Sequence, residues 1–307
     1  MPKVFNRPIP GIQDELSRVL VTPVTSNGVR YFVVAGASLQ DRRDAMLQVA
    51  LVMAVGGPIA LVRSLMSEVE VAALSPAEIS FRRHGLEFAR SRLSAAPGQF
   101  RSAPELVFGA GPEERVLDDR NLQAFEDLIR SIGEVRHADG PRECRWWRLH
   151  PERWLESLVV KNVSARDSQL DPRFCYSQVP AFFASDRGMI DVLTLTREGR
   201  LAVIEPKADE DIHLPLQGID YWSRVVWHHP RGEFQKFGYF PGRELSDEPP
   251  LLVMAAPALH VHPATDILLR YVSPQIEWRL LGVDERWRKE LRVVFRKHPE
   301  RTKERPA

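Results

Sequence analysis

GMIDVLTLTREGRLAVIEPKADEDIHLPLQGIDY, running from Gly188 to Tyr221, is the stretch that decides how the chain is read. Two runs rich in Val, Ile, Leu and Thr, Met189 to Thr196 and Arg200 to Lys207, flank Arg197-Glu198-Gly199. Such runs, bounded by glycine and charged breakers, read as strands. A three-residue loop ending in glycine suits a type I turn followed by a left-handed residue, so the stretch is expected to form a β-hairpin. That loop sets Thr196 opposite Arg200 and, counting back, Asp191 opposite Glu205. Opposed residues share a face, with Cβ atoms about 4.5–5.5 Å apart. Lys207 lies two positions beyond Glu205 and points the same way. A two-residue loop would shift the register by one and send Glu205 and Lys207 to the other face from Asp191.

Leu193, Leu195, Leu201 and Val203 share the acids' face, and Val192, Ala202 and Ile204 line the other. The acids therefore end a strand pair that is apolar on both sides. Two carboxylates there repel each other and lose hydration, which a fold tolerates when a cation neutralises them. Oxygen donors suit Mg²⁺ or Mn²⁺ rather than zinc. A lysine beside them is placed to hold or deprotonate an attacking water, or to steady a phosphoryl oxygen. Beyond the hairpin, Pro215 opens a helix to about Trp227. Its expected apolar stripe is Leu216, Ile219, Trp222 and Val226, with Gln217, Tyr221 and Arg224 on the opposite stripe.

Gly188-x-x-Asp191, Glu205-x-Lys207 and Gln217-x-x-x-Tyr221, in this order, resemble the motifs of PD-(D/E)XK nucleases, most closely the RecB-like branch. The resemblance covers about residues 150–280 and does not reach the first half of the chain. The (D/E)xK piece alone carries almost no weight; three motifs in order carry more. The resemblance implies a restriction-endonuclease-like α/β core, a mixed β-sheet flanked by helices, that hydrolyses phosphodiester bonds in DNA. It implies a catalytic set of Asp191, Glu205, Lys207, Glu156, Gln217 and Tyr221. It also implies that Asp191, Glu205, the Pro206 backbone carbonyl and Glu156 hold one or two Mg²⁺ or Mn²⁺ ions. Lys207 then orients or activates the water, and Gln217 and Tyr221 position the strand or support the site. Glu156 enters because Trp154-Leu155-Glu156, on a helix opened by Pro151, resembles the family's acid-bearing helix. A solvated glutamate would read the same, and Glu152 is the fallback. Pro206 departs from the family, which places an aliphatic residue there; proline removes a ladder N–H but keeps its carbonyl.

A chain of 307 residues with 44% hydrophobic and 27% charged residues fits an ordinary globular protein of two domains. Three segments are expected: an N-terminal α/β domain of unknown role over 1–140, a nuclease-like domain over 141–298 and a flexible tail over 299–307. Asp139-Gly140-Pro141 marks the boundary. In the first segment strands are expected at Arg30 to Val34, Pro58 to Val62 and Glu105 to Phe108. Helices are expected at Ser38 to Val55, Ser75 to Leu93, where Ser75-Pro76-Ala77-Glu78 reads as a capping box, and Asp118 to Ile132. In the second, strands are expected at Cys144 to Leu149, Arg173 to Val179, Leu251 to Ala256, Ile276 to Leu280 and Arg292 to Phe295. Helices are expected from Pro151 to Lys161 and from Ala264 to Tyr271. Alternation of strands and helices implies parallel pairing beside the hairpin.

A net charge of +1 announces no global basic field, and acids outnumber bases between His150 and Phe240, which weighs against tight nonspecific DNA binding. Cys144 and Cys175 are unpatterned, which fits a reducing cytoplasm. The opening residues read as no signal peptide, and the apolar run Ala45 to Met66 is broken by Gly56-Gly57-Pro58, so no membrane association is expected. His228-His229 and His260-x-His262 lack a third ligand at a recognisable spacing. Trp146, Trp147, Trp222, Trp227 and Trp278 suit packing better than base stacking. The expected partner is DNA, with a homodimer or a protein partner engaged through the N-terminal domain. The alternative is a binding module, for nucleic acid or protein, that keeps a degenerate nuclease scaffold without cutting.

Overall fold

The computed structural model describes residues 3–8, 16–26, 29–38, 58–75, 78–95, 102–110, 114–166, 169–183 and 186–299. The chain divides into two compact units, residues 1–136 and 137–307.

In the first unit, β1 (Lys3–Pro8), β2 (Leu16–Ser26) and β3 (Val29–Ser38) form an antiparallel three-stranded sheet. A second sheet is an antiparallel meander of β4 (Glu70–Ser75), β5 (Glu78–Arg83), β6 (Leu86–Ala95), β7 (Ser102–Phe108) and β8 (Arg115–Val116). Two helices accompany it, α1 over residues 58–65 and α2 at Leu122–Val135. The helix expected from Ser75 to Leu93 is instead the β5–β6 hairpin. Ile79 and Phe81 on one strand and Leu86 and Phe88 on the other are buried, Arg83 pairs with Leu86 across the loop, and His84 and Gly85 both take positive φ, +44° and +70°, the signature of a primed two-residue turn. The strand expected at Pro58 to Val62 is helical, and the helix expected from Ser38 to Val55 falls on 39–57, outside the described residues.

The second unit is built on a six-stranded mixed sheet in the order β14-β13-β12-β11-β10-β9. After a short helix α3 (Arg145–Arg148), where a strand was expected, come α4 (Pro151–Arg166), β9 (Leu170–Phe183), β10 (Asp186–Thr196) and β11 (Leu201–Pro206). Then follow α5 (Leu214–His228), α6 (Glu233–Lys236), β12 (Leu251–Pro257), α7 (Thr265–Arg270), β13 (Trp278–Val283) and β14 (Val293–Lys297). Strands β9, β10 and β11 are antiparallel, β11, β12 and β13 are parallel, and β14 returns antiparallel.

The β10–β11 hairpin has the register read from the loop. Val192 faces Ile204 and Leu195 faces Leu201, with Gly199 at φ +91°. Its two faces go to different layers. Val192, Ala202 and Ile204 pack with Trp154, Leu155 and Val159 of α4, while Leu193, Leu195, Leu201 and Val203 pack with Val225 of α5. β11 is thus buried along its whole length, as its unbroken Leu-Ala-Val-Ile run requires. Gly218 lets α5 approach the sheet closely, because a Cβ there would sit 2.9 Å from Leu252 Cδ1.

Helix α5 is rotated part-way from the face expected of it, with Ile219 and Trp222 still packed on the cluster around Leu252 and Met254. Leu216 and Val226 are exposed, and the sheet-facing side carries Leu214, Pro215, Gly218, Arg224 and Val225. The rotation takes Gln217 and Tyr221 out of full solvent contact, and Tyr221 packs against the hairpin's apolar cluster.

Candidate active site

The site forms where β10 and β11 part. Ladder pairing between them ends at Val192 and Ile204, so the next pair in register, Asp191 and Glu205, lies where the two strands begin to separate. Their carboxyl groups lie side by side, close enough for the charge of Asp191 to act on Glu205. Glu205 is 1% exposed, and neither of its side-chain oxygens receives a hydrogen bond from a protein donor. Burial, then the neighbouring charge of Asp191, pushes the Glu205 carboxyl far above the ordinary glutamate range. Burial also raises Asp191, against the pull of its Glu205 contact and of Arg153 and Lys207. Without a cation the pair is therefore driven to hold a proton at pH values where free carboxylates, with pKa about 4, have lost theirs.

Lys207 is buried beside them. Its Nζ lies 3.7 Å from Glu205 Oε1, 3.3 Å from Glu152 Oε1 and 3.6 Å from Asp211 Oδ2. Burial pulls the ammonium's pKa down, but Glu152, Glu205 and Asp211 outweigh it, so Lys207 sits above its ordinary value and stays charged. Asp211 is itself held low by the backbone N–H and ring of His213.

Pro206 does not interrupt the sheet. The Lys207 N–H donates to Ala255 O on β12 at 2.8 Å, so by alternation residue 206 faces the β10 side, where the ladder has already ended. The missing proline N–H has no ladder partner to lose.

Glu156 is not a solvated glutamate. It is 4% exposed, and its Oε2 accepts from Arg153 Nη1 and from Gln178 Nε2, both at 2.9 Å. The same Gln178 nitrogen donates to Asp191 Oδ1 at 3.0 Å. Glu156 is thus joined to Asp191 through an amide, while Glu152, one turn earlier on α4, reaches Lys207. Gln217 Oε1 is buried without a hydrogen-bond partner. Tyr221 is half-buried; desolvation, then the charges of Glu205 and Asp191, raise its phenol and keep it a neutral donor.

Sequence reasoning missed Gln178 and the capture of Lys207 by Glu152 and Asp211. Gln178 had no motif to mark it, and the other two contacts come from a helix and a loop whose approach no local spacing reports. The histidine pairs have ordinary partners: Glu233 for His228, the Ser246 carbonyl for His229, Glu285 for His260 and Glu210 for His262. The tryptophans mostly pack. Trp147, Trp154 and Trp287 surround the Arg288 guanidinium, and Trp222 donates to Pro250 O.

Among the described residues, no group of three or more His, Cys, Asp or Glu side chains is arranged to hold a metal ion. The donor set at this site is two acids and a strand-end carbonyl. That suits Mg²⁺, which keeps several waters and commonly takes only one or two carboxylates from the protein. The orphaned Glu205 oxygens fit the same requirement.

Compared with family models, with curated proteins and with solved structures, the chain matches none.

Proposed function

We propose that residues 137–307 form a Mg²⁺- or Mn²⁺-dependent nuclease of the PD-(D/E)XK type that hydrolyses phosphodiester bonds in DNA. One observation carries it: Asp191 and Glu205 meet at the end of a buried hairpin, the Glu205 oxygens lack donors, and a charged Lys207 stands 3.7 Å away. The mixed sheet between α4 and α5 supports a restriction-endonuclease-like core. Asp191, Glu205 and the Pro206 carbonyl would hold the ion, with Glu156 behind them. Bound there, a divalent ion supplies Lewis acidity to a water and neutralises charge on the scissile phosphate.

The protein's own groups do the rest. Lys207, held by Glu152, Glu205 and Asp211, would orient or activate the attacking water or steady a phosphoryl oxygen. Tyr221, neutral, and Gln217 are placed to donate to substrate or to the site's carboxylates. The first unit supplies recognition, regulation or a contact to a partner or second copy. The protein works in the cytoplasm and away from membranes; among the described residues no helix is long and apolar enough to cross one.

A second reading, a scaffold that binds without cutting, draws on the capture of Lys207 by Glu152 and Asp211, which closes the site around its own charges. Purified protein with Mg²⁺ or Mn²⁺ on linear, circular and single-stranded DNA separates the two. Cutting that EDTA stops and Lys207→Ala abolishes, with the fold intact, supports the enzyme. DNA retention without cutting supports the scaffold.

A further inference from the structure

We propose that Gln178 is a positioning residue for the cation site, fixing the Asp191 carboxylate by bridging it to Glu156; this rests on the metal-dependent reading above. The β9–β10 ladder pairs Val179 with Ile190 and Ser177 with Val192, and it skips the pair between them, Gln178 and Asp191. At that skipped position Gln178 takes φ +56°, a left-handed conformation that a long side chain adopts at a cost. The conformation accompanies a specific contact. Gln178 Nε2 donates to Glu156 Oε2 at 2.9 Å and to Asp191 Oδ1 at 3.0 Å. Carboxylates only accept, so only the nitrogen end of the amide suits this position.

Two acids from different elements, α4 and β10, are thereby tied to one neutral donor instead of repelling each other. Arg153 Nη1 anchors the far end on Glu156 Oε2 at 2.9 Å. The chain Arg153–Glu156–Gln178–Asp191 stops the Asp191 carboxylate rotating about Cβ–Cγ and leaves it aligned toward Glu205. A shorter amide cannot span both acids. A neutral hydrogen-bonding partner behind a ligand is the kind of group whose loss weakens metal affinity on the order of 10–100-fold.

The test is Mn²⁺ binding to the full chain by titration calorimetry, with thermal unfolding in EDTA alongside. Four proteins are compared: wild type, Gln178→Gly, Gln178→Asn and Asp191→Asn. Glycine and asparagine both accept a positive φ, so neither variant strains the backbone. Gln178→Gly and Gln178→Asn should each weaken Mn²⁺ on the order of 10–100-fold while unfolding in EDTA stays near wild type, and Asp191→Asn should abolish binding. Wild-type affinity in both Gln178 variants, with binding still lost in Asp191→Asn, overturns the role of Gln178 and leaves the cation site standing. A wild type that takes up no Mn²⁺, or an Asp191→Asn variant that binds normally, overturns the cation site and the role of Gln178 together.

Discussion

Gly188 and Arg224 share one volume: a Cβ built at Gly188 would lie 2.4 Å from Arg224 Cζ. The guanidinium is buried over the Gly188 backbone, donating Nη1 to Ala181 O at 3.0 Å and Nε to Asp220 Oδ2 at 2.8 Å. The glycine three residues before Asp191 is therefore required by an arginine on α5, which locks the helix bearing Gln217 and Tyr221 to the strands bearing the acids.

Gly188→Ala should destabilise the protein by about 1–3 kcal/mol through overpacking, read as a lower urea midpoint. In an Arg224→Ala background the same change should cost far less, because the clashing group is gone. Equal costs in both backgrounds would mean the two residues do not compete for space.

Stability should depend on pH in a direction set by the acid pair. Asp191 and Glu205 are raised in the folded state, so between the unfolded carboxylate pKa of about 4 and their folded values the native chain binds more protons than the unfolded one. Their contribution to stability is then largest at low pH and falls as pH rises through neutrality. Glu205→Gln removes its share, and should raise stability in EDTA at pH 7 by about 1–3 kcal/mol, with the gain growing toward alkaline pH. Unfolding temperature against pH, in EDTA and in Mn²⁺, checks this. Wild type in Mn²⁺ should lose the downward slope; parallel curves for all three would contradict it.

Position 206 should tolerate the aliphatic residue that proline replaces. Pro206→Val adds an N–H on the side where no strand follows; at this buried position the unpaired donor should cost about 1–3 kcal/mol, read as a lower urea midpoint, while DNA cutting should persist. A large gain in cutting would show that proline had been distorting the strand end.

Much of the second unit was legible because its signals are local. Gly199 fixed the hairpin loop, the loop fixed the Asp191–Glu205 register, and unbroken apolar runs marked the buried parallel strands. Tertiary packing hid the rest. Helix α5 packs Ile219 and Trp222 of its apolar stripe against the sheet but exposes Leu216 and Val226, so the pattern located only part of its buried face. Gln178 adopts φ +56° without a glycine or asparagine to advertise it. In the first unit the apparent capping box at Ser75 outweighed the His84-Gly85 turn, although Ile79, Phe81, Leu86 and Phe88 carry a strand's alternation.

The most direct measurement is anomalous diffraction from a crystal soaked in Mn²⁺. The expected result is a peak between Asp191 and Glu205, within coordination distance of an oxygen from each, and absent from crystals of Asp191→Asn. A fully soaked crystal with no density there, and Glu205 left buried beside Asp191 and Lys207 without an ion, would contradict the cation site on which the nuclease reading stands.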